Sequence, residues 1–130
     1  ATVALVTAEA GMGKTRLRYE LLRSLRRRGE ELTVIEGQGD SLSAGSPFGI
    51  VAPALRRWVG AADGARPEDT RARLEERLAR SLSGDELARV FAFLAELVGA
   101  PLEGEDVPDA LAAARQDPML LGEGMRRAFT

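Results

Sequence analysis

The stretch "AEAGMGKT", residues 8–15, contains the residue types and spacing that can cradle a phosphate. Ala8, Gly13, Lys14 and Thr15 meet the pattern [Ala/Gly]-x-x-x-x-Gly-Lys-[Ser/Thr]. Each position has a chemical reason. Gly11 and Gly13 allow positive φ and a close approach of backbone to an oxygen, so that successive N–H groups face one concavity. A helix starting beside the loop adds its positive N-terminal end. Lys14 can reach β- and γ-phosphate oxygens as a compact charge, and the Thr15 hydroxyl can ligate Mg²⁺. The candidate binding set is therefore Ala8, Glu9, Ala10, Gly11, Met12, Gly13, Lys14, Thr15 and Arg16, with Lys14 as the catalytic candidate and Thr15 as the metal ligand. The chain has 18 basic residues, of which Lys14 is the one lysine and all the others are arginine. A bias that made every other basic residue arginine spared this position, which favours a specific demand for an ammonium group.

The loop needs a strand before it and a helix after it. "TVALVT", residues 2–7, is a continuous apolar, β-branched run that suits a strand buried on both faces of a parallel sheet. Leu17, Leu21, Leu22 and Leu25 then recur at helical spacing over residues 15–28, opposite arginines, with Gly29 as the stop. "ELTVIEG", residues 31–37, reads as a second strand. The expected fold class is thus α/β: a βαβ unit with parallel strands and a right-handed crossover over residues 1–39, followed by a mostly helical segment over residues 40–130 of the same domain.

That helical segment opens with the glycine- and serine-rich "GQGDSLSAGSPFG". Ser46 and Pro47 there suggest an N-cap followed by proline at the first helical position, and Pro53 would kink the helix over 47–59 or reset its start. Leu74, Leu78 and Leu82 lie four apart within "RPEDTRARLEERLARSL". Leu87, Val90, Phe91, Leu94, Leu97 and Val98 form a stripe stopped by Gly99 and Pro101. An acidic loop follows, then two shorter helical stretches over 109–116 and 118–129.

Composition narrows the chemistry. With 130 residues, 45% hydrophobic and 29% charged, the chain has ordinary globular composition. Its net charge of −2 supplies no general positive field for nucleic acid or a membrane surface. It contains no cysteine and no histidine, which excludes disulfides, thiolate nucleophiles, imidazole bases and Cys/His metal sites. No apolar run approaches the roughly 20 residues of a membrane span, and no signal peptide is visible, so a cytoplasmic location is the expectation. The chain begins at Ala1, one residue before an expected core strand, and ends with a helical pattern still running. It is expected to be a piece of a larger protein.

Other candidates are weaker. Glu36 could face the loop from the end of the second strand, and Arg126 and Arg127 could serve as an arginine finger, though a solvated helix face accounts for both arginines. Trp58 reads as a core or domain contact, and Glu75, Glu76, Arg77 and Arg80 as a charge-laced surface. "GQGD" is not a dinucleotide fingerprint. Hydrolysis in P-loop enzymes uses an acid-ended apolar strand for the Mg²⁺ shell. The run that could qualify, "VFAFLAEL", has the length and stripe of a helix, so no Walker B strand is visible.

The stretch "LVTAEAGMGKTRLRYELLRSLRRRGEELTVIEGQGDSLSAGSPFGIVAPALRRWVG" resembles the AAA-type ATPase domain of large bacterial signalling proteins, including fusions to serine/threonine kinases or adenylate cyclases and LuxR-like STAND regulators. The likeness covers residues 2 to about 60, and the later helices fit the family's helical insert loosely. It implies that Gly11, Gly13, Lys14 and Thr15 bind ATP and Mg²⁺, and Ala8 is a tolerated departure from the commoner glycine. It also implies that the Walker B strand follows the helical segment, beyond Thr130, and that the adenine-contacting segment precedes the first strand. Two strands would then flank an empty slot that direct pairing, a partner chain or a helix must fill. The expected function is ATP binding in a regulatory ATPase of signal transduction or transcription control. The expected partners are the parent chain's other domains, other proteins or further copies, without nucleic acid or membrane. A P-loop kinase for a small metabolite and a non-hydrolysing nucleotide-binding module are the alternatives.

Overall fold

The computed structural model describes residues 3–29, 32–39, 45–61 and 64–129. Among them every regular element is helical: α1 (Lys14–Arg27), α2 (Val51–Val59), α3 (Pro67–Leu78), α4 (Gly84–Leu97), a 3₁₀ turn at Gly104–Asp106, α5 (Asp109–Arg115) and α6 (Pro118–Arg127). By its contacts the chain divides into two units, Ala1–Val34 and Ile35–Thr130.

The expected α/β core is overturned. No strand or ladder occurs among the described residues, so the βαβ unit of parallel strands is absent. Within "TVALVT", residues 3–7 form no regular structure; Val3 is 93% and Leu5 86% exposed. The described part of "ELTVIEG", residues 32–37, is likewise irregular. The physical reason is that β-branched residues report fitness for a pleated, half-buried surface rather than an intrinsic strand. A strand needs a neighbour's N–H and C=O groups, and among the described residues neither run pairs with the other.

The expected helices do form, because their hydrogen bonds are local. α1 begins at Lys14, and its chain end turns at Gly29, whose N–H donates to the Arg26 carbonyl at 3.1 Å. α2 starts at Val51, later than the Ser46 and Pro47 signal suggests. Residues 46–49 form a turn closed by Gly49 N–H to Ser46 O at 3.1 Å, and Phe48 at φ 59 interrupts any helical run there. Ser46 therefore caps nothing, and Pro53 falls in the first turn of α2, where a missing N–H costs little. Residues 40–44 of the connection lie outside the described residues.

The core belongs to the second unit. Leu55 and Val59 of α2, Leu74 of α3, Leu111 and Ala114 of α5 and Met125 of α6 pack into one cluster with α4. α4 is buried well beyond its predicted stripe: Val90, Ala92, Phe93, Leu94, Ala95 and Leu97 are all buried, with Val98 just past its end. Both α3 and α6 pack on it, and its small residues are buried alongside its large ones. Gly124 of α6 makes the second packing possible, because a Cβ there would lie 2.2 Å from Phe93 Cε1.

Arginines secure the ends of these helices, a role that charge patterning did not suggest. Arg56 Nη1 donates to Val98 O at 2.6 Å and Arg71 Nη1 to Pro101 O at 2.8 Å. Arg73 donates to Gly60 O, and Arg115 donates to Leu102 O while pairing with Glu96. Each guanidinium satisfies a carbonyl that a helix end or a loop leaves over. Trp58 is a half-buried core contact, as expected, with Arg77 stacked 5.2 Å from its ring centroid. No described helix is long and apolar enough to cross a membrane.

Candidate phosphate-binding loop

Residues 8–13 wrap from the irregular lead-in to the start of α1. Met12 N–H donates to Glu9 O at 3.4 Å, closing a turn, and Gly11 follows at φ 82. Gly13, at φ 86 and ψ 18, is the N-cap, and Leu17 N–H donates back to its carbonyl at 3.0 Å. Both glycines adopt the left-handed conformation that the motif's chemistry requires of them. Around each, a Cβ position has no other atom within 4 Å, so the loop is open to an approaching group.

Lys14, the first helical residue, folds its side chain back over the loop. Its Nζ donates to Ala8 O and Glu9 O, each at 2.7 Å, which uses two of the ammonium's three donors. These carbonyls are thereby turned toward the lysine, which closes the loop around a single cation. The contact was not foreseen from the motif, although a lysine five and six residues after these carbonyls has the reach for it. Thr15 is the second residue of the helix, next after Lys14. Arg16 turns along the helix instead, to Glu20 at 3.1 Å.

The electrostatics favour an anion. The first turn of α1 has no acidic residue and Gly13 offers no side-chain cap, so the N-terminal N–H groups and the helix dipole are uncompensated, with Lys14 and Arg16 adding positive charge. All nine predicted site residues are exposed, and all lie in the first unit. Backbone N–H groups, an ammonium and a hydroxyl are the donor set that polyphosphate with a hard cation requires, and here they fit it.

The remaining candidates belong to the second unit. Glu36 lies in the second unit, and its carbonyl accepts from Arg57 Nη2 at 2.9 Å. Arg126 and Arg127 both pair with Glu123 along α6, at 3.2 and 3.0 Å, as a solvated face does. "VFAFLAEL" lies within α4. Among the described residues no group of three or more carboxylates, cysteines or histidines is placed to hold a metal ion.

A left-handed glycine loop that closes on a lysine at the head of a helix has the form expected of the P-loop motif. The family to which it belongs is given by the family model described as "AAA ATPase domain", which matches residues 1–119. The chain is a member of the AAA ATPase domain family, a nucleotide-binding family whose members usually use Mg²⁺. No curated protein and no solved structure matches the chain.

Proposed function

We propose that residues 8–16 bind the triphosphate of ATP with Mg²⁺, as the nucleotide site of a regulatory ATPase in a bacterial signalling or transcription-control protein. The observation that carries this reading is the loop itself, with Gly11 and Gly13 left-handed and Lys14 tied to Ala8 and Glu9. In it the N–H groups of the loop and of the first turn of α1 hold phosphate oxygens, Lys14 neutralises the β- and γ-phosphates, and the Thr15 hydroxyl takes a place in the Mg²⁺ shell. The bound Mg²⁺ offsets phosphate charge. Glu9, Ala10, Met12 and Arg16 frame the loop. The helical segment 40–130 belongs to the same domain, and nucleotide state biases the parent chain's other domains in the cytoplasm, through them or through protein partners or further copies.

The test is retention of ATP, measured by equilibrium dialysis with labelled nucleotide, for the wild-type chain and for Lys14→Ala. A loss of tenfold or more in affinity is expected for the variant, and equal affinity for the two rejects the reading. A specific observation favours binding without turnover by residues 1–130: the apolar run that could have ended in a catalytic acid on a strand is helix α4.

A further inference from the structure

The two units differ in what holds them together. Every fully buried residue among those described lies at position 54 or later, inside the second unit. No residue of α1 is buried, and Leu17, Tyr19 and Leu21 are each more than half exposed. A 14-residue helix without a buried face is marginal in water, because nucleation is costly and tertiary packing normally supplies most of a helix's stability.

Local interactions do little to compensate. α3, α4 and α5 open with acidic residues in their first turns, and α6 opens on Asp117, which accepts from the N–H groups of Met119 and Leu120. α1 opens instead on Gly13 without a cap bond and carries Lys14 and Arg16 where the helix dipole disfavours cations. Its Arg16–Glu20 pair runs in the less favourable order along the helix, and Arg23 Nη1 reaches Glu20 at only 3.9 Å.

Building on the nucleotide reading above, we propose that ordering of the glycine loop and α1 is coupled to nucleotide binding, while the helical core of the second unit is folded in either state. Bound phosphate supplies the negative charge and the acceptors that the start of α1 lacks, so part of the binding free energy is spent on ordering the loop and helix. The measured affinity is then the intrinsic affinity reduced by the fraction of chains with loop and helix ordered. It follows that affinity is tunable from within α1 at sites that cannot touch the nucleotide. Ser24, exposed and ten residues after Lys14, is such a site.

Hydrogen–deuterium exchange of the full chain, read by mass spectrometry alongside labelled-ATP dialysis, tests the coupling. Without nucleotide, amides 18–27 are expected to exchange within about tenfold of the unstructured rate, and amides 94–98 at least about a hundredfold more slowly. Saturating Mg-ATP should slow 18–27 tenfold or more, leave 94–98 unchanged, and have no such effect in Lys14→Ala. Ser24→Ala should tighten ATP binding about twofold and Ser24→Gly weaken it about twofold, through helix propensity alone. Protection of α1 equal to that of α4 without nucleotide overturns the proposal. So does retained ATP with unchanged exchange at 18–27, or with affinity indifferent to both Ser24 substitutions; these outcomes leave the nucleotide reading standing. Failure to retain ATP at all overturns both.

Discussion

Gly124 and Gly122 sit two residues apart on α6, and Ala substitution at each should move stability in opposite directions. At Gly122 a Cβ meets nothing within 4 Å, so the variant should gain only the intrinsic helix preference of alanine over glycine, about 1 kcal/mol. At Gly124 the same gain is opposed by a collision, because the added carbon would stand 2.2, 2.5 and 2.7 Å from Cε1, Cζ and Cδ1 of Phe93. Carbon atoms prefer about 3.5–4.0 Å, so the ring or the helix must retreat by more than about 1 Å. Phe93 is 7% exposed and part of the central cluster, so that retreat disturbs the packing of α4 against α6. Overpacking of this kind costs about 1–3 kcal/mol, and a contact with three ring atoms belongs at the upper end. The net expectation is a loss of about 1–2 kcal/mol for Gly124→Ala, with the two variants separated by about 2–3 kcal/mol. Urea titration followed by circular dichroism measures this directly, and the melting temperatures should diverge by about 8–20 °C. Phe93→Leu removes the ring atoms concerned and should restore much of what Gly124→Ala loses, giving a non-zero coupling energy in the double-mutant cycle. If Gly124→Ala is as stable as Gly122→Ala, the close approach of α6 to Phe93 is refuted.

Arg56→Met should cost about 1.5–3 kcal/mol in urea unfolding, because it removes a charged donor from the Val98 carbonyl at the end of α4 in a part-buried setting; a change below 0.5 kcal/mol would contradict the anchoring role. Glu68 has its carboxyl held below the ordinary glutamate range by its own backbone N–H, then by the side-chain hydrogen bond from Arg66. Since the folded value is the lower one, its contribution to α3 is present above the unfolded pKa and is lost as pH falls through the folded value. Carboxyl NMR titration should show this depression, and Arg66→Ala should reduce it. Residues 1–130 with saturating Mg-ATP should release phosphate no faster than the Lys14→Ala variant, measured by a coupled phosphate assay; a clear excess in the wild type would place a catalytic acid within the chain.

The loop and the helices were legible in the sequence for one shared reason. The spacing of Gly11, Gly13, Lys14 and Thr15 encodes a conformation that the chain makes within itself, and both glycines adopt it. The leucines of α1 and α3, the stripe of α4 and the stops at Gly29 and Gly99 likewise concern bonds that close within four residues. The lysine's contact with Ala8 and Glu9 spans only five or six residues, yet the motif specifies a cation and not where that cation rests.

Periodicity was least informative where the partner is distant. Ala92 and Ala95 of α4 fall outside any apolar stripe, and only packing with neighbouring helices buries them. The charged faces that hold Arg56, Arg71, Arg73 and Arg115 look solvated in the sequence, while their acceptors lie between 13 and 42 residues away. "TVALVT" has the composition of a buried strand, but its backbone finds no ladder among the described residues. By itself, then, the sequence determined the conformation of the glycine loop and the helical segments, whose hydrogen bonds and φ angles are local. Tertiary structure alone decided the lack of a ladder among the described residues, the burial of α4 beyond its predicted stripe and the work of the arginines, because each depends on groups that only the folded chain brings together.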